Sequence, residues 1–489
     1  MKRKYTAGLL AVILLVNTLA SCGGADTEEQ TDTAADTQET TPIETTIYDV
    51  LQPNDYEGYT FRILNNLSNV AYTNIGEEGL TGEALDDAMY NRNLKVAEEL
   101  NIAFQIINHE YQDTKDTITN MVISDDDAFD MYTLDLSHMV SHATNGFLWN
   151  TNEIDAIDIN NPWWNKTAID SVTLCDYVFS LFGDLHVGYF ETFYPAVFNK
   201  TMIKELNLPD PYQLVREGTW TLDVMIEMMM SVKNDADGDG KWTTADRYPF
   251  SMYQDNAPIC LLHTSNINLF GRDEKGVPVW NGLPEKYLTT YEKLASTMFS
   301  VQHNNAHNAG GSLGAGLPVH KHHAMMYLGN TLFLFEPLGA VKNLRDVEFG
   351  IGIAPLPKYE EAQENYLTYI FHCANAIAIP ITNPDAERTG VILEHMAAYS
   401  HETVRDVFFN TTLDFKYAQD QEGQEMLDII FAGGTFELGN VYGWGGVVWT
   451  LNNNVKEGKM EITSALAAIE SKTQAAIQET IAIFTEMNG

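Results

Sequence analysis

The sequence predicts an α/β body with a largely parallel sheet, large enough for two globular domains or one bilobal one. Three observations predict it. Strand-like and helix-like periodicities alternate along the chain. The 489 residues are 45% hydrophobic, with 23 Tyr, 22 Phe and 8 Trp, enough to bury large cores. After the N-terminus, no apolar run is long enough to cross a bilayer. Tyr59 to Leu64 alternates like a strand, and Asn65-Asn66 follows as a loop. Glu83 to Leu100 reads as a helix with Leu85, Met89, Val96 and Leu100 on one side. Ala103 to Ile107 and Asp130 to Asp135 read as the next strands. Thr219 or Thr221 caps a helix reaching about Lys233, and its Met225, Met228, Met229 and Met230 read as plain core. Ile462 to Met487 reads as a long amphipathic helical region. There is no repeat of solenoid period.

The first residues are of another kind. Lys2, Arg3 and Lys4 precede an apolar run from Ala7 to Val16, the charged and short apolar regions of a secretory signal. It ends in Leu19-Ala20-Ser21-Cys22, small residues followed directly by Cys, which resembles a lipobox. The expected mature chain begins at Cys22, acylated and held outside the cytoplasmic membrane through its lipid. Gly23 to about Thr46 carries seven acidic residues and no Lys or Arg, which predicts a disordered tether.

The net charge of -40 excludes a nucleic-acid partner, since nothing would neutralise phosphates. It also excludes electrostatic adsorption to an anionic membrane, so attachment rests on the lipid. The expected state is a monomer. Cys175, Cys260 and Cys373 remain beside Cys22 and are too widely spaced for a zinc knuckle or a CxxC pair. They read as small buried residues, with at most one disulfide among them.

The most specific local motif runs from Asp235 to Asp246. Asp235, Asp237, Asp239 and Asp246 stand at positions one, three, five and twelve, and Gly240 at six, where a calcium loop turns. Lys241 would offer its carbonyl and Thr243 a direct or water-bridged oxygen. Asp246 departs from the usual Glu. The expected ion is a structural Ca²⁺, with no position left for catalysis. Asn161-Pro162-Trp163-Trp164-Asn165 and Tyr442-Gly443-Trp444-Gly445-Gly446, followed by Trp449, set indoles beside amides and glycines. Flat rings flanked by amides and carboxylates suit sugar rings, so Trp163, Trp164, Trp444 and Trp449 are candidate stacking residues. Trp220, just before a helix, reads as structural. Neither His320, His322 and His323 nor His303 and His307 come with partners at metal spacing. No HExxH, Walker or GxGxxG motif is present; Gly310-Gly311-Ser312-Leu313-Gly314 matches GxSxG in spacing alone, inside a Gly-, Asn- and His-rich stretch and not on a strand-to-helix turn, so no catalytic residue is named.

The order of several segments resembles the extracellular solute-binding lipoproteins of ABC importers, in the carbohydrate-binding group related to maltose-binding protein. Phe198-Asn199-Lys200 is similar to that family's "YNK" strand end, and Gly218-Thr219-Trp220-Thr221-Leu222-Asp223 to its "tWde" helix start. Asp237-Gly238-Asp239-Gly240 with Tyr248-Pro249-Phe250 resembles "DGDG…yGf", with Pro for Gly. Ala324 to Gly329 resembles "aM…G", and Phe349 to Lys358 is close to "fGiaPlPk". Ala376 to Ile381 and Asn383 to Glu387 resemble the strand and helix start that follow.

The resemblance implies a bilobal periplasmic-binding-protein-like fold of type II, two α/β lobes joined by hinge segments with the ligand between them. By that likeness the chain crosses near Gly183 to Tyr194, returns near Met326 to Asn330 and crosses again near Cys373 to Ala378. The implied lobes are 56–185 with 327–373, and 186–326 with 374–489, after a signal at 1–21 and a tether at 22–55. The implied polar contacts are Asn65, Asn66, Asp135, Asp184, Glu191 and Asn330. The expected function is non-enzymatic: capture of a carbohydrate, as an oligosaccharide, and delivery to an ABC permease. The alternatives are a surface glycan hydrolase, whose two carboxylates would be distant in sequence, and a ligand-sensing receptor subunit.

Overall fold

The computed structural model describes residues 50–67, 71–76, 78–232, 235–241, 243–252, 257–296, 323–413, 421–456, 459 and 461–487. Cys22, the signal, the tether as far as residue 49 and most of the His-rich segment lie outside them. The chain from Ile47 onward is one compact unit.

Strand β1 (Tyr59–Leu67) is followed by helix α1 (Ala84–Leu100), β2 (Ile102–Glu110), α2 (Tyr111–Ile123), β3 (Met131–Asp135) and α3 (Leu136–Thr144). After α4 (Lys166–Val172) come β4 (Ala196–Asn199), α5 (Leu222–Met230), β5 (Tyr248–Met252) and α6 (Ala257–Thr264). The hairpin β6 (Phe270–Arg272) and β7 (Pro278–Trp280) precedes β8 (Thr331–Phe335), β9 (Ile351–Ala354), β10 (Thr368–Tyr369) and β11 (Asn375–Ala378). Helices α7 (Ala386–Tyr399) and α8 (Gln421–Ala432), the short β12 (Gly434–Thr435) and the long α9 (Thr463–Met487) complete the order used below.

Two four-stranded sheets result. The first has the order β11-β3-β1-β2, the second β5-β8-β4-β9. In the first, β1 lies parallel to β2 from Tyr59 opposite Ile102 to Leu67 opposite Glu110, and β11 runs antiparallel to β3. All five residues of β3 are buried, as in a strand covered on both faces. Helix α1 turns Leu85, Met89, Val96 and Leu100 onto this sheet, and Phe61, Ile63 and Leu64 of β1 share that core. Helix α7 packs against α1. In the second sheet β4 is antiparallel to β8 and β9, and β8 is parallel to β5. Thr221 caps α5, its hydroxyl accepting from Val224 N, and α5 buries Met225, Met228 and Met229 while Met230 faces solvent. Trp220 is fully buried and donates Nε1–H to the Pro355 carbonyl at 2.8 Å.

The ladders correct the division drawn from the resemblance. The turn at Met326 to Asn330 does not cross: it leads straight into β8, which pairs with β4 and β5, so β8 and β9 stay in the second sheet. The chain returns between Ala354 and Asn375, which places β11 and α7 with the first sheet rather than the second. Gly183 to Tyr194 does connect the sheets, since Leu181 bridges Ile377 on β11 and Ala196 opens β4. Cys260 is buried, Cys175 and Cys373 are half-buried, and no disulfide joins any two of them. No helix among the described residues is long and apolar enough to cross a membrane.

Candidate functional site

Three segments run side by side between the sheets. Phe193 bridges Ile370, with Tyr194 N–H donating to Tyr369 O at 3.0 Å and Phe371 N–H to Thr192 O at 3.0 Å. On the other side β10 pairs with β12, Thr368 opposite Gly434 and Tyr369 opposite Thr435. Gly434 is required here: a Cβ would stand 2.1 Å from the Phe193 ring. These few residues at the ends of short strands connect the two sheets, the kind of position that serves as a hinge between two bodies.

The carboxyl ends of β1 and β3 meet these segments, where ligands of α/β sheets collect. Asn66 and Asn375 lock the two strands reciprocally: Asn66 Nδ2 donates to Asn375 Oδ1 and Asn375 Nδ2 to the Asn66 carbonyl, both at 3.0 Å. Asn66 Oδ1 is buried with no hydrogen-bond partner among the described residues. Asn65 is buried, spending its amide on the Thr73 carbonyl and Asn108 Oδ1, each at 2.8 Å. Asp135 caps α3, accepting from the Ser137 hydroxyl and pairing with His138 Nδ1 at 2.6 Å. Burial pushes its carboxyl up, but the bonds from His138 and Ser137 outweigh this and leave it below the usual carboxylate range. His372 sits beside it on the crossing segment, with Nδ1 2.8 Å from Asn440 Nδ2, and burial drops its pKa to about 4. Glu191, buried where the first segment leaves the first sheet, accepts from Tyr72 N–H at 2.9 Å and faces Lys342 Nζ at 3.3 Å. Its carboxylate thus ties a loop following β1 to a residue that follows β8.

The sequence candidates divide. Asn65, Asn66, Asp135 and Glu191 come together at this floor, though Asn65 is engaged by the protein itself. Asn330 does not join them: its amide donates to the Thr244 carbonyl at 2.6 Å, bracing the Asp-rich loop. The indoles divide as well. Trp163 is 1% exposed and Trp164 5%, and both donate Nε1–H to the Glu394 carboxylate at 2.7 Å. Trp444 is 2% exposed, stacked on Tyr442 and bonded to Thr480, which leaves it no ring face for a sugar, whereas Trp163 and Trp164 both border the cavity at Asp184. Trp449 is half-exposed on a helix following that turn. Asp184 is buried and accepts from His401 Nδ1 at 2.5 Å, with burial raising its pKa. With Trp164, Tyr189, Arg405 and Asp428 it lines a separate cavity of about 430 Å³.

Sequence reasoning missed Tyr72, His138, Lys342, His372 and Asn375. His138 was detectable, three residues after a capping Asp at a strand end. Lys342, 151 residues from Glu191, carried no local signal.

In the Asp-rich loop Asp235, Asp237 and Asp239 bring carboxylate oxygens within 4.8 Å of one another. Gly238 and Gly240 take positive φ, and Asp235 accepts from both of their amides. Lys241 N–H donates to Asp239, and the Thr243 carbonyl accepts from Tyr248 Oη. Asp246 is buried and accepts from the Ala236 and Thr243 amides at 2.9 and 2.7 Å, so it staples the loop shut. The three-carboxylate cluster fits a hard cation, while Asp246 is engaged by backbone donors.

No family model and no curated relative matches this chain. Solved structures do. A cyclo/maltodextrin-binding protein complexed with maltotetraose matches at TM-score 0.54 and 12% identity, covering 88% of this chain and 98% of that one. RafE from Streptococcus pneumoniae matches at 0.53 and 14%, covering 89% and 100%. UspC of M. tuberculosis matches at 0.55 and 13%, covering 85% and 100%. The chain has the bilobal, periplasmic-binding-protein-like fold of these proteins. The two sheets are its lobes, and the three-segment ladder is its hinge.

Proposed function

We propose that the protein is a lipid-anchored carrier that captures a carbohydrate, as an oligosaccharide, between its lobes and delivers it to an ABC permease. It catalyses nothing and works as a monomer tethered at Cys22. The observation that carries this reading is the three-segment hinge lying under the carboxyl ends of β1 and β3, with a buried amide oxygen on Asn66 that has no hydrogen-bond partner among the described residues at that edge. The fold supports it, since a solved protein of the same fold holds maltotetraose. Polar groups at the floor (the Asn66 amide, Ser137, His138) suit hydroxyl ligands. Calorimetry against a panel of neutral oligosaccharides tests it: saturable binding without product is expected. Turnover of the sugar, or no binding across the panel, would overturn it. Replacing Cys22 with Ser should release the protein from membranes and leave that affinity unchanged.

We also propose that the Asp-rich loop holds one structural Ca²⁺ through Asp235, Asp237 and Asp239, with Lys241 and Thr243 able to contribute oxygens and Asp246 closing the loop. Extracellular affinity need only be about 10⁻⁴–10⁻³ M. A melting midpoint lowered by EDTA and restored by Ca²⁺ is the expected result, and an unchanged midpoint would remove the ion from the account.

A further inference from the structure

The cavity of about 430 Å³ at Asp184 shares no lining residue with the floor at Asn66, Asp135 and Glu191. Its volume falls within the roughly 300–1,000 Å³ usual for small-molecule pockets, near the lower end, so the occupant is small. Three stretches of chain build it. Trp164 and Gly183 bridge one another, just past the point where Leu181 bridges Ile377 of β11. Arg405 opens the short helix Arg405–Phe408, which packs against α1. Asp428, Phe431 and Ala432 come from α8, which packs against β9 of the second sheet.

One pair of side chains in this lining is left open. Asp184 is 4% exposed, and its Oδ2 lies 2.5 Å from His401 Nδ1. Its Oδ1 is 3.7 Å from Arg405 Nε, beyond hydrogen-bond distance. That Nε is buried with no hydrogen-bond partner among the described residues. A carboxylate and a guanidinium that both line the cavity thus stand side by side without closing on each other. An unmet buried donor is costly, so the pair marks a place for a group that accepts from Arg405 and donates to Asp184. A hydroxyl does both. The rest of the lining narrows the class. Its charged side chains are Lys166 and Arg405 against Asp184 and Asp428, and Lys166 is bonded to Asp170. The signs balance, which favours neither an anion nor a cation. Trp164, Tyr189, Phe190 and Phe431 add apolar surface, which suits the C–H groups of a ring.

We propose that this cavity is a second binding site, apart from the floor, for a single neutral sugar ring whose hydroxyls are shared between Arg405 and Asp184. The ring comes from a free monosaccharide or from the end of an oligosaccharide, since both present the same vicinal hydroxyls. The site rests on its own lining, so it stands or falls separately from binding at the floor.

Equilibrium dialysis of the full mature chain against radiolabelled glucose, galactose and mannose, and against a linear trisaccharide of each, counts the equivalents bound. Ala432→Phe fills the cavity from an exposed position and removes no polar group. It should lose one equivalent of the sugar that enters and keep any equivalent held at the floor. Arg405→Leu should weaken the cavity equivalent at least tenfold, and it carries the test if Ala432→Phe fails to fold. Loss of a monosaccharide equivalent identifies a free ring as the occupant, and loss confined to the trisaccharides identifies the end of a chain. Equal counts and equal affinities in the wild-type and folded variant chains for every sugar, or no binding in any of them, would overturn the site. A wild-type chain that binds one equivalent and loses it when the cavity is filled would keep this site and overturn the floor as the place of capture.

Discussion

Glu394 decides more of the local structure than any aromatic residue around it. Its two oxygens accept from Trp163 Nε1, Trp164 Nε1, Asn161 Nδ2 and Asp158 N, at 2.7 to 3.1 Å. Burial raises its pKa, and the four donors pull against that rise. Removing the carboxylate strands two buried indole N–H groups, at about 1–3 kcal/mol each. Glu394→Ala should therefore lower stability by about 2–5 kcal/mol in urea denaturation while sugar affinity of the folded fraction stays unchanged; a loss of affinity without a loss of stability would contradict the structural role. The carboxylate that holds the tryptophan pair was not legible in the sequence for a definite reason. An indole beside an Asn looks the same in sequence whether it faces a cleft or a Glu 231 positions later. Glu437 gives a pH signature. Its folded pKa of about 7 lies above the ordinary value of 4.5, so the unfolded chain releases this proton first. Its contribution is fully present below about pH 4.5 and is lost as pH rises through 7, a difference on the order of 3 kcal/mol. Glu437→Gln should flatten the fall in melting midpoint between those pH values, and an identical pH profile would show that this carboxyl is not held neutral.

At the level of elements, the first sheet was legible and the hinge was not. β1, α1, β2 and β3 follow one another locally, each with a period of two or about 3.6, and the pairing is parallel with β1 between β2 and β3. The hinge has no such signal: β10 and β12 are two residues each, and their partners lie 66 positions apart in register. The misplacement of β8 and β9 has the same origin, since a buried strand reads alike in either lobe and only its ladder assigns it. What the hinge does carry is a steric rule. Gly434 lies against Phe193 and Ile370, with no space for even one methyl group. Gly434→Val should cost about 1–3 kcal/mol through overpacking. Phe193→Ala in the same chain should recover part of that cost, measured as a non-additive double-mutant cycle. Strict additivity would mean that the two positions do not meet.

For the whole molecule the dominant physical fact is charge. Sixty-eight acidic residues against 28 Lys and Arg leave -40, and only a small share is neutralised in pairs such as Arg62–Asp130 or Arg216 with Glu422 and Glu425. Like charges of this excess repel one another, and compaction brings them closer, so folding works against self-repulsion. That repulsion reaches about 30 Å in 0.01 M salt and only about 3 Å in 1 M. Stability should therefore rise with sodium chloride, by several degrees in melting midpoint between about 0.01 M and about 0.5 M. At the floor Asp135 is bonded to His138 and Glu191 to Lys342, so a neutral sugar meets it through hydrogen bonds that salt barely screens, and affinity should stay within about twofold over that range. The two measurements separate field from site. A midpoint that stays flat or falls with salt would show that the acidic surface is already neutralised, and affinity collapsing with salt would point to a charged ligand in place of a neutral oligosaccharide.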